Sequence, residues 1–132
     1  MKSYAELERA ALEARAHAYA PYSGFLVGAA LLARDGRVFA GANVENASYA
    51  LSVCAERAAV IGAVLAGARD LEAIAIATAS SPPASPCGAC LQTLAEFADD
   101  LAVVLINQRG ERHSTTLGAL LPRAFKPGDL PR

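Results

Sequence analysis

Cys54-Ala55-Glu56 and, further along, Pro86-Cys87-Gly88-Ala89-Cys90 hold all three cysteines of the chain, and one residue separates Cys54 from a carboxylate. Each stretch reads as the start of a helix. Cys54 opens a run to about Ala66 that is apolar nearly all round and is expected to be buried, with Gly67 closing it. A second helix starts near Cys87 and carries Leu91, Leu94 and Ala98 on one stripe. Between them, Leu71 to Thr78 is apolar but for Glu72 and Thr78, with Ile74 and Ile76 at period two, as suits a central strand covered on both faces.

The flanking sequence extends this alternation. Beyond the Ser/Pro loop Ser80–Pro86 and the second helix, Leu101–Ile106 reads as another buried strand and Arg109-Gly110 as a turn. His113–Thr115 is then a final strand, and Thr116 caps a short helix ending at Pro122. On the amino-terminal side, Phe25–Ala33 and Val38–Val44 flank Asp35-Gly36, a hairpin signal. Ser3–Ala18 reads as a helix with a Ser3/Glu6 capping box, His17 in its last turn and Pro21 as its stop. Both His17 and His113 read as surface residues. The order helix, hairpin, helix, strand, helix, strand, strand, helix predicts an α/β fold, a three-layer α/β/α sandwich around a mixed, mostly buried five-stranded sheet.

Composition narrows the function. A chain of 132 residues, 54% hydrophobic and 19% charged, without internal repeats or low-complexity tracts, is expected to be one domain spanning 1–132. So much Ala, Val, Leu and Ile exceeds what one small core hides, which suggests an apolar subunit interface. A net charge of −1 with no basic stripe speaks against a nucleic-acid partner. Met1–Arg15 lacks the apolar core of a signal peptide, no apolar run reaches membrane-spanning length, and a cytoplasmic location is expected. An odd count of three cysteines in such a chain favours metal or catalysis over disulfides.

Three thiolates bind one zinc ion and leave a fourth tetrahedral position open, which distinguishes a catalytic site from a closed structural one. Each helix N-terminus carries about +0.5 charge, so two converging ends offset on the order of one unit of thiolate charge. Three thiolates nevertheless make a divalent ion a poorer Lewis acid. Arg57 is placed to donate hydrogen bonds to the sulfurs and restore acidity, and its apolar neighbours favour that inward role over a solvent-facing one. Glu56, two residues past Cys54, falls near the metal without lying in line with Cys54. It can take a proton from water and pass it to a substrate nitrogen. A Glu near a helix start is often only a dipole partner, but beside three cysteines the catalytic role is the better reading.

At these residues the sequence resembles the zinc-dependent cytidine deaminases in their short, homotetrameric form. The likeness extends to Ala20-Pro21-Tyr22-Ser23, Val27-Gly28-Ala29-Ala30-Leu31, Asn43-Val44-Glu45-Asn46-Ala47 and Leu120-Leu121-Pro122-Arg123-Ala124-Phe125. It implies Cys54, Cys87 and Cys90 as zinc ligands and Glu56 as proton shuttle. It also implies Asn43 and Glu45 on the ribose hydroxyls, Phe25 near the ring, and the backbone of Ala55 and carbonyl of Ser85 on the pyrimidine edge. Phe125 would stack on the base from a neighbouring subunit, and Tyr49 would cross an interface, so sites are shared between chains. The implied reaction is hydrolysis of cytidine, and of deoxycytidine, to the uridine product plus ammonia, as in pyrimidine salvage.

The chain departs from the family at Leu91, where Arg usually follows the Pro86-Cys87-Gly88-Ala89-Cys90 stretch. Leu91 lies on the core stripe of its helix, and its presence puts more of the charge balance on Arg57. Two other readings remain: a deaminase of a modified cytosine nucleoside such as blasticidin S, and a structural zinc module with no catalysis. The first is disfavoured by Asn43, Glu45 and Phe125. The second lacks a fourth cysteine, and Glu56 is too near Cys54 in sequence to take that place comfortably.

Overall fold

The computed structural model describes residues 3–131. Its elements are α1 (Ala5–Arg15), β1 (Gly28–Ala33), β2 (Val38–Ala42), a 3-10 turn (Tyr49–Leu51), α2 (Ala55–Leu65), β3 (Leu71–Thr78), α3 (Gly88–Ala95), β4 (Ala102–Asn107), β5 (Arg112–Thr116), α4 (Leu117–Leu120) and a second 3-10 turn (Pro127–Asp129). The five strands form one sheet in the order β2-β1-β3-β4-β5. Only β3 and β4 run parallel, joined by the crossover that contains α3; the other pairs are antiparallel.

Strand alternation separates the two faces of the sheet. Leu31, Ile74, Ile76, Val103 and Leu105 point to the layer of α2 and α3, where each buried branched side chain contributes about 1.5–3 kcal/mol. Ala30, Ala73, Ala75 and Ala77 point the other way, with Val104 and Ile106, and meet Leu7 and Ala11 of α1. The alanine surface lets α1 sit close to the sheet. A Cβ on Gly28 of β1 would fall 2.1 Å from the Ala11 carbonyl oxygen and 2.4 Å from the Arg15 nitrogen. This is the expected three-layer α/β/α sandwich on a mixed five-stranded sheet.

Several boundaries differ from the sequence expectation. Tyr4, not Ser3, is the N-cap of α1, and no side chain caps it; Glu6 instead pairs with Arg9 one turn on, so the capping box does not form. The helix ends at Arg15, well before Pro21, because the following chain is drawn into a bridge: Tyr19 N donates to Asn43 O at 2.9 Å and Glu45 N to Tyr19 O at 2.8 Å. His17 therefore lies beyond the helix, exposed. Strand β2 stops at Ala42 and Val44 forms only isolated bridges, to Tyr19 and Val53. Helix α2 is not buried all round, since Ile61 is 61% and Leu65 89% exposed within the single chain. Its apolar composition marks an uncovered face as much as a core. At the other end the expected cap is present, with Thr116 Oγ1 accepting from Ala119 N at 3.1 Å.

Candidate active site

Cys54 and Cys87 occupy the same local position. Each is the N-cap of its helix in extended backbone, with ψ of 159° in Cys54 and 166° in Cys87. An N-cap side chain stands at the positive end of the helix dipole, so both sulfurs lie where thiolate charge is favoured, although neither accepts a hydrogen bond from the first amides of its helix. Cys90 lies in the first turn of α3 and is buried. Its sulfur is 3.5 Å from that of Cys87. Tetrahedral zinc with Zn–S bonds of about 2.3 Å places its sulfurs about 3.8 Å apart, close to this separation.

The sulfurs of Cys54 and Cys90 close on each other as a disulfide, where the sequence reading expects two thiolates. Their Cα atoms stand 7.4 Å apart, whereas ordinary disulfides span about 4.4–6.8 Å. The backbone thus holds the two cysteines at a wider spacing than a relaxed disulfide takes, and soft thiolates at two helix N-termini form a donor set that suits zinc. Glu56 offers a carboxylate oxygen within 4.8 Å of both these sulfurs. Cys87 is not in that tightest group; it joins through Cys90 and is solvent-exposed.

Glu56 is 5% exposed, and burial pushes its carboxyl above the ordinary carboxylate range, against the opposing pull of its own backbone amide and of Arg57. A carboxyl in such a place holds a proton more readily than one in water. Arg57 turns toward the cluster: its Nε donates to Cys54 Sγ at 3.1 Å and its Nη2 to Ser52 O at 3.3 Å. Leu91 is buried among the side chains between the sheet and α3, so packing accounts for it, and the guanidinium on the cluster is that of Arg57.

A second group forms an open cleft of about 330 Å³ lined by Tyr22, Ser23, Glu45, Tyr49 and Ser52. Glu45 accepts from the Tyr22 and Ser23 amides at 3.0 and 3.1 Å and from the Ser23 hydroxyl. The Ser23 hydroxyl, then the two amides, hold its carboxyl below the ordinary value of 4.5. A depressed pKa means that the carboxylate supports the Tyr22–Ser23 turn above 4.5 and that this support is lost as pH falls through the lowered value. Ser23→Ala is expected to move Glu45 back up toward 4.5, as read by carbon-detected NMR titration of the carboxyl. An unmoved midpoint would show that the hydroxyl is not its principal partner.

Tyr49 packs edge-on to Tyr22, with ring centroids 6.0 Å apart, and is otherwise 75% exposed. The Asn43 amide ties β2 to the preceding loop: its Oδ1 accepts from Val27 N and its Nδ2 donates to Phe25 O, both at 2.8 Å. Phe25 is itself exposed. Ala55 is fully buried at the first position of α2, and Ser85 lies exposed on the loop just before buried Pro86. Phe125 does not line the cleft. It projects from the carboxy-terminal segment, 56% exposed, with its backbone bonded to Gln92 of α3. The roles of Tyr22, Ser23 and Gln92 were not legible in advance. Turn residues and an outward helix position carry no spacing signal for contacts made 22 or 33 residues away.

A family model described as "Cytidine and deoxycytidylate deaminase zinc-binding region" matches residues 1–106. Together with the mixed sheet and the cysteine-rich helix starts, this defines a zinc-dependent hydrolytic deaminase. The cytidine deaminase of Sporosarcina psychrophila is 48% identical over 119 residues, covering 89% of this chain and 88% of that protein. The cytidine deaminase of Mycobacterium tuberculosis is 45% identical over 122 residues, 92% and 89% of the two chains. The crystal structure of cytidine deaminase from Burkholderia pseudomallei superimposes with a TM-score of 0.89 at 50% identity, covering 94% of this chain and all of that one. The chain belongs to the cytidine deaminase family.

Proposed function

We propose that this chain hydrolyses cytidine, and deoxycytidine, to uridine or deoxyuridine and ammonia, acting as one domain. The observation that carries the reading is Glu56, a buried carboxyl held beside Cys54, the cap of α2, and Cys90, in the first turn of α3. Cys54, Cys87 and Cys90 would hold the zinc, which when bound supplies the Lewis acidity that activates water at neutral pH. Glu56 manages the protons. It accepts one from the attacking water, gives it to the ring nitrogen beside the carbon under attack, and carries the second to the departing amine. Arg57 offsets thiolate charge. The buried backbone at Ala55 and the Ser85 carbonyl read the pyrimidine edge, while Glu45 and Asn43 meet the ribose, with Phe25 beside the ring.

The exposed apolar residues Ile61, Leu65, Tyr49 and Leu51 support a homotetramer in which Phe125 and Tyr49 reach a neighbouring subunit's site. Net charge of −1 agrees with a free nucleoside rather than a polynucleotide as substrate. Among the described residues no helix is long and apolar enough to cross a membrane, and the cytoplasm is the location proposed.

Zinc analysis coupled to ammonia release from cytidine tests the function; a zinc-loaded chain that releases no ammonia would overturn it. A chain ending at Ala124 is expected to bind nucleoside roughly 5- to 150-fold more weakly, the usual range for one lost base–aromatic stack, with zinc content unchanged. Affinity equal to that of the full chain would remove Phe125 from the site.

A further inference from the structure

Gln92 follows Cys90 by two positions on α3, between Leu91 and Leu94, which are buried. Its side chain reaches out to a single residue and takes both of that residue's backbone groups. Nε2 donates to the Phe125 carbonyl at 2.7 Å, and Oε1 accepts from the Phe125 amide at 3.2 Å. A primary amide used in this way imitates the next strand of a sheet. The adjoining residue is also fixed: Lys126 Nζ donates to Ala95 O near the end of α3 at 3.3 Å, and Lys126 N donates to Asp129 Oδ2 at 2.8 Å.

The clamped residue, however, buries little. The Phe125 ring stands 56% exposed, so a two-point hold on its backbone gains little for the core. What it does fix is the direction of the Cα–Cβ bond, and thereby where the ring points. We infer that Gln92 is a positioning residue, aiming the Phe125 ring at the base bound in a neighbouring subunit and referring that aim to the helix that bears Cys87 and Cys90. The inference rests on the reading that Phe125 stacks on substrate.

The test is a set of four proteins, the wild type, Gln92→Ala, Phe125→Ala and the double variant, each assayed for cytidine KM, kcat, zinc content and subunit assembly. Two hydrogen bonds are lost in Gln92→Ala, so its KM is expected to rise roughly five- to tenfold, with kcat and zinc content held. The double variant should have the KM of Phe125→Ala alone, because with the ring gone nothing is left for Gln92 to aim. Gln92→Glu keeps the acceptor for the Phe125 amide but sets a carboxylate oxygen against the Phe125 carbonyl, so its KM should rise at least as far as in Gln92→Ala. A raised KM in Phe125→Ala with an unchanged KM in Gln92→Ala overturns this inference and leaves the stacking role standing. Unchanged KM in Phe125→Ala overturns both. Additive effects in the double variant, or a fall in zinc content with KM constant, would make Gln92 a structural strut of α3 instead.

Discussion

Glu56→Gln should lose on the order of a thousandfold or more in cytidine turnover while keeping its zinc and its fold, since general acid–base catalysis contributes about a hundred- to ten-thousandfold per group. The substitution keeps shape and hydrogen-bonding length and removes only the ability to carry a proton. In this structure burial already favours the uncharged form of Glu56, so a neutral amide enters an environment that suits it, and loss of activity by misfolding is not expected. The measurement is ammonia release beside metal analysis of the same preparation. Turnover near the wild-type rate would mean that the proton travels by another route. Loss of zinc with the activity would mean that Glu56 is a ligand, as its nearness to the Cys54 and Cys90 sulfurs permits.

Gly41→Ala is expected to destabilise the protein by about 3 kcal/mol or more, the upper end of ordinary overpacking, and to weaken zinc retention. A Cβ at this position of β2 would lie 2.4 Å from the Ala55 carbonyl oxygen and 2.6 Å from the Ala59 nitrogen. Both atoms are helix backbone, so no rotamer change relieves the clash; α2 must move as a body. Its first turn carries Cys54 and Glu56, and a shift there separates them from Cys87 and Cys90. Gly28→Ala makes the matching contrast. It crowds α1, which bears no residue of the proposed site, and should lower stability without changing the zinc bound per folded chain. Denaturant midpoints and zinc content of the two variants, side by side, separate a helix that supports the site from one that supports only the fold. Equal zinc retention in both would show that α2 tolerates displacement.

The parts of the fold legible in the sequence were those set by short-range pattern. Strand β3 begins and ends at Leu71 and Thr78 as expected, because a mostly apolar run between turn signals leaves little choice of bounds. The two helix starts could be placed from Cys54 and Cys87 since an N-cap is a local event, and Thr116 could be assigned as a cap for the same reason. Long-range events were not legible. The bridge of Tyr19 to Val44 cut α1 short, and nothing near Arg15 encodes it. Likewise Ile61 and Leu65 read as core because hydrophobicity reports removal from water, not which chain does the covering. At the site, the clustering of the cysteines could be read from the two motifs taken together, and the turn of Arg57 toward Cys54 from its apolar neighbours. The clamp on Glu45 and the hold on Phe125 required the folded chain.

The unequal furnishing of the sheet's two sides implies opposite vulnerabilities. Beneath α1 the floor is laid in methyl groups, and there enlargement, such as Ala75→Val, would wedge the layers apart. On the opposite face β3 and β4 present bulky branched residues, and there it is shrinkage, such as Ile74→Ala, that would leave a hollow. Sequence drift in β3 should therefore obey a size ceiling on its α1 side and a size floor on the other.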